Sequence, residues 1–164
     1  MARADLACLK HLAAMLIDAR KVYARAARIA DDADVVDRIE RTMAERDRLL
    51  REIRGRIEDL RGAAPHEGSM LGAAHKAFLD VRAIFDRDEK AALAEVQRGE
   101  KYLRDEIRKA IRNHALSAET RAFLGLALDR IVNGEMRIEG KLEEVERLSE
   151  PHANESIHPI PPHH

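Results

Sequence analysis

Two apolar stripes in this chain are broken at mid-length by the same pair of residue types. Leu93, Val96, Leu103, Ile107 and Ala110 recur at helical spacing, and the step between Val96 and Leu103 that should be apolar holds Gly99 and Glu100. Further on, Ile131 and Ile138 flank Gly134 and Glu135 in the same way. A carboxylate at a core-facing position needs a partner, because an unpaired buried charge costs more than the packing of one residue returns. What these two acids face decides how the chain folds and what it can do.

The remaining stripes are also helical. Leu9, Leu12, Leu16, Tyr23, Ala27 and Ala30 predict a first helix from about Asp5, as its N-cap, to Ala30. The run Asp31-Asp32-Ala33-Asp34 supplies a turn and a cap for a second helix from about Val35 to Leu60. Its stripe is Val36, Ile39, Met43, Leu50, Ile53, Ile57 and Leu60, and Arg46 fills the step between Met43 and Leu50. The first helix has a comparable interruption, Arg20-Lys21, between Leu16 and Tyr23. Gly62 to Gly68, with Pro65, is the clearest break; Ser69 then caps a short amphipathic helix to about Phe85. Asp86-Arg87-Asp88 opens a third long helix that ends near Asn113-His114, and Ser117 caps a fourth that runs to about Ser149. Pro151 ends it, so residues 1–150 read as one domain and 151–164 as a loose Pro/His-rich tail.

Short links join the first two long helices and the last two, so each pair should be antiparallel. The stretch between the pairs is long enough to run from one end of the bundle to the other at about 1.5 Å per helical residue. This predicts an all-α, ferritin-like four-helix bundle: two antiparallel hairpins joined by a long crossover containing a short helix. Composition agrees. Of the residues 45% are hydrophobic, only 3% are aromatic and there is no Trp, which suits Ala and Leu layers.

Lys and Arg number 29 against 30 Asp and Glu, interspersed, which argues against nucleic acid as a partner. The arginine run Arg46, Arg48, Arg51, Arg54, Arg56 and Arg61 is interleaved with acids and reads as i,i+4 pairs on a solvated face. No stretch approaches the roughly 20 apolar residues that span a bilayer. Cys8 is the single cysteine, so no intrachain disulfide forms and a reducing cytoplasm is the expected compartment. Its place near a helix start could lower its pKa.

A di-iron bundle draws a Glu from each of two helices and Glu-x-x-His from each of the other two. Glu45, Glu100 and Glu135 are followed three residues on by Arg48, Leu103 and Ile138, and the one Glu-x-x-His is Glu155 to His158 in the tail. The reading preferred here is a mid-core polar layer in which Arg20, Lys21 and Arg46 neutralise Glu100 and Glu135, with no cofactor. The alternative is a non-standard iron or manganese site from Asp18, Glu45, Glu100 and Glu135. A third is a small-ligand carrier that uses gaps left by Gly99 and Gly134. Tyr23 and Tyr102 each lie one turn from a mid-helix charge and are expected to hydrogen-bond a carboxylate. His75, inside the crossover, reads as a structural imidazole.

The order Gly68-Ser-Met-Leu-Gly72-Ala-Ala-His75-Lys-Ala-Phe78, then Arg98-Gly99-Glu100, resembles a bacterial family of ferritin-like domains of unknown function. That family carries Gly-Ser-x-x-Gly-x-x-His-Arg/Lys-x-Trp followed by an Arg-Gly-Glu helix. Tyr23 in its helix and Ala44-Glu45-Arg46 also look like it, and the likeness covers about residues 6 to 148. Members tend to have an acid where Lys21 stands, a His where Glu135 stands and a Trp in place of Phe78. The resemblance implies the bundle and leaves the activity open. Together these readings give a non-enzymatic bundle acting through its surface or as a homo-oligomer, with a stress-associated role as a further expectation.

Overall fold

The computed structural model describes residues 1–68 and 88–150. Four helices carry these residues: α1 (Ala2–Ile29), α2 (Ala33–Asp59), α3 (Glu89–Ile111) and α4 (Ala118–Ser149). Among the described residues there is no strand. The expected short crossover helix with His75, and the tail with Glu155 and His158, lie outside them.

The caps fall largely where the sequence puts them. Asp32 Oδ1 accepts from the backbone N–H of Asp34 and Val35, so α2 starts two residues earlier than its apolar stripe suggests. Asp88 accepts from the Lys90 N–H and Ser117 from the Thr120 N–H, fixing the starts of α3 and α4. Asp5 is different. Helix α1 begins at Ala2 with Met1 as its N-cap, which offers no side-chain bond. Asp5 is buried and instead accepts from the Ser117 N–H at 2.8 Å, tying the start of α1 to the start of α4. Burial raises its pKa, but hydrogen bonds from Ser117 and Thr120 outweigh that and hold it below the ordinary carboxylate value.

The hairpins α1/α2 and α3/α4 are antiparallel, as are α1/α3 and α2/α4, whereas α2 and α3 run parallel. Glu106 meets His11 near one end of the α1/α3 seam, and Glu89 accepts from the N–H groups of Asp31 and Asp32 at the other. Along α2/α4, Asp34 meets Lys141, Glu45 meets Arg137 and Glu52 meets Arg130. Helix α2 therefore ends, at Leu60, beside Asp5 and Ser117, whereas α3 begins at the far end beside Asp31. The link between them joins opposite ends of the bundle, roughly 40 Å apart for a helix the length of α2. It turns back at Arg61, whose φ of 57° is left-handed, and the Gly62 N–H closes the α2 terminus on the Ile57 carbonyl. A side chain at Gly62 would collide with Leu6, and one at Gly68 with the Asp18 carboxylate, so the link rises along α1.

The core is aliphatic: Leu9, Leu12, Met15, Ile39, Leu49, Ile53, Ile57, Leu93, Leu103 and Ile107 are fully enclosed. On α1 the buried set includes residues 5, 9, 12, 16, 19, 23 and 26, alternating steps of four and three. On α2 the series 35, 39, 42, 46, 49 and 53 does the same. That is the seam of a left-handed bundle, and it places Tyr23 and Arg46 inside the core as members of the stripe.

A charged waist as candidate functional site

Tyr23 from α1, Arg46 from α2, and Gly99 and Glu100 from α3 meet at the middle of the bundle, with Gly134 from α4 closing the layer. Tyr23 and Glu100 are 0% exposed and Arg46 is 1% exposed. The Arg46 guanidinium engages the Glu100 carboxylate through two nitrogens: Nε lies 2.9 Å from Oε1 and Nη2 lies 2.6 Å from Oε2. The Tyr23 hydroxyl donates to Oε1 at 2.7 Å. Nη2 also donates to the backbone carbonyl of Arg130 at 3.2 Å, so the layer binds all four helices.

Both glycines are explained by this layer. A Cβ at Gly99 would lie 2.8 Å from the Tyr23 ring and hydroxyl, and one at Gly134 would meet Arg46 Nη2 and stand 2.9 Å from Glu100 Oε2. Gly134 is also one turn beyond Arg130, and its bare backbone uncovers the Arg130 carbonyl to the guanidinium. The gaps expected at Gly99 and Gly134 are thus occupied by the side chains of Tyr23, Arg46 and Glu100.

The electrostatics fit a closed ion pair. Burial opposes the Arg46 charge, but the hydrogen bond and the charge of Glu100 outweigh it and hold its pKa above the ordinary value. Burial, then the Glu100 charge and hydrogen bond, push the Tyr23 phenol well above 10, so it stays protonated and serves as a donor. One polar atom of the layer, Arg46 Nη1, has no hydrogen-bond partner among the described residues.

The other expected members of the layer lie elsewhere. Glu135 is one residue off the stripe and turns to the α3/α4 seam, where Arg104 Nη1 reaches both its oxygens at 2.6 and 2.9 Å. Arg20 and Lys21 do not join the waist; both are exposed, and Arg20 pairs with Asp47 at 3.2 Å. The reason is their position on α1, between Ala19 and Val22, which face inward. Glu45 is half-buried and held by Arg137 on α4, and Asp18 lies on α1 against Gly68. Asp18, Glu45, Glu100 and Glu135 therefore do not converge, and among the described residues no three His, Cys, Asp or Glu side chains are grouped to hold a metal ion.

The acids interleaved with the arginine run of α2 also depart from expectation. Pairs at i,i+4 form early in the helix, Asp34–Arg38 and Asp37–Arg41, but Glu45, Glu52 and Arg56 reach across to Arg137, Arg130 and Glu119 of α4. Cys8 is partly buried, and burial with the nearby Asp5 charge pushes its thiol up to about 11, opposite to the shift its place in α1 suggested. His11 touches Glu106, while His66 and His114 are exposed. Sequence reasoning missed Arg104, Arg130 and Arg137. Arg104 had a findable signal, since it lies four residues after Glu100 on the flank of the same helix.

Fold and site together define an all-α four-helix bundle whose buried Arg46–Glu100 layer is neutralised from within. Residues 6–113, covering α1 to α3, match the family described as "Domain of unknown function (DUF2383)", and the chain belongs to that family. No curated protein matches it. Among the described residues, no helix is long and apolar enough to cross a membrane.

Proposed function

We infer that this chain is a ferritin-like bundle of the bacterial cytoplasm without an enzymatic role, in which an internal ion pair stands where a di-iron relative would hold metal. It acts through its outer surface or as a self-assembled form. The observation that supports this reading most is the Arg46 guanidinium seated on both oxygens of the fully buried Glu100. A tethered cation already neutralises the carboxylate that a metal would need, and two of the other candidate acids, Glu45 and Glu135, are each held by an arginine of their own. The crossing of the link from one end of the bundle to the other supports the ferritin-like comparison.

The test is elemental analysis of untagged protein purified without chelator. The expected result is iron and manganese far below one per chain, with no gain in thermal stability when either ion is added. One tightly held ion per chain, lost on Glu100→Gln, would sink the reading.

A further inference from the structure

We propose that the waist is a receptor for a guanidinium cation, which Arg46 fills in the intact protein and which a free alkylguanidinium fills when that side chain is removed. The proposal rests on the functional reading above and specifies the ligand chemistry of the same layer. Three acceptors are fixed by three different parts of the fold: Glu100 Oε1 and Oε2, aligned by the Tyr23 hydroxyl, and the Arg130 carbonyl uncovered at Gly134. They are set in one fork, with donors at 2.9, 2.6 and 3.2 Å, which suits a planar cation bearing several N–H groups rather than a compact ammonium.

The notch at Gly99 faces Tyr23 and that at Gly134 faces Arg46 and Glu100; both are made by bare backbone on α3 and α4, so they survive truncation of residue 46. The α1, α3 and α4 parts of the receptor do not depend on the arginine stem. Arg46 Nη1, buried without a partner among the described residues, shows that the fork is satisfied by the Nε and Nη2 edge alone. Methylguanidinium presents that edge with its methyl group in place of the arginine Cδ.

Arg46→Ala leaves Glu100 buried and uncompensated, which should lower Tm by roughly 10 °C. Methylguanidinium chloride at about 10 mM, against equal sodium chloride, should raise the Tm of the variant by several degrees and leave wild type unmoved. Arg46→Ala combined with Glu100→Gln should show no such rise. If the single variant does not fold, recovery of its helical circular dichroism on adding methylguanidinium is read instead. Absence of rescue, rescue that persists in the double variant, or equal rescue by methylammonium each overturns the proposal. Metal in the wild-type protein would defeat the functional reading, whereas failed rescue beside a metal-free wild type defeats only this inference.

Discussion

The waist and the α2/α4 seam use the same chemistry in opposite surroundings. Arg46–Glu100 and Arg130–Glu52 are both two-point Arg–Glu contacts of nearly equal length, with closest approaches of 2.6 and 2.8 Å. The first pair is 1% and 0% exposed, the second 40% and 37%. Burial makes the first pair an obligate unit, since either partner alone would be a charge without solvent. Water makes the second optional, since each partner can be hydrated alone and salt screens the attraction. The lesson is that geometry alone does not rank these contacts; the solvent around them does.

The largest expected effect is at the waist. Glu100→Gln should cost about 3–5 kcal/mol, read as the loss in urea-unfolding free energy, because it strands the Arg46 charge in the core. Replacing the whole set, with Tyr23→Phe, Arg46→Met and Glu100→Leu together, should recover most of that and end within about 2 kcal/mol of wild type. Tyr23 must be included because its hydroxyl otherwise loses its acceptor. A triple variant as unstable as the single one would show that the layer does more than neutralise itself.

Next come the glycines, which sharpen the same contrast. Gly134→Ala should cost about 1–2 kcal/mol despite the better helix propensity of Ala, because its Cβ would press on Arg46 and Glu100. Gly140, on the same helix, has nothing within 4 Å of a Cβ, and Gly140→Ala should stabilise by about 0.5–1 kcal/mol. Paired thermal melts check both signs.

The smallest effect belongs to the seam. Arg130→Ala should cost no more than about 1 kcal/mol, and less again in about 500 mM NaCl than in about 20 mM. Acid sharpens the test. The hydrogen bond from Arg130 holds the Glu52 carboxyl below its ordinary 4.5. A depressed carboxyl stabilises the fold above its unfolded pKa and loses that contribution as pH falls through its folded pKa. The Arg130→Ala variant and wild type should therefore differ at pH 7 and converge well below pH 4.5, as urea unfolding at the two pH values would show.

Much of the fold was legible because its signals are local. Apolar spacing, the caps Asp32, Asp88 and Ser117, and the short links carry the helices and the hairpins. The waist was half legible. An interrupted stripe flags Gly99, Glu100 and Arg46, and Tyr23 falls at a stripe position. What periodicity does not carry is rotation by one residue: Arg20, Lys21 and Glu135 are each close to the stripe, yet two point to water and one to a neighbouring seam. The partners of Glu45 and Glu135 lie on other helices, and pairing across helices depends on axial register, which one sequence does not encode residue by residue.

Gly134 has a consequence for how such a chain can change over generations. The notch, the fork of acceptors and the arginine fit only as a set, so a lineage cannot trade this interior for a metal-holding one by single steps. Each first step leaves a stranded charge or a clash and removes a large share of the stability of a marginal fold. Unrelated stabilising substitutions, of the kind open at Gly140, would have to accumulate beforehand to make such a passage survivable.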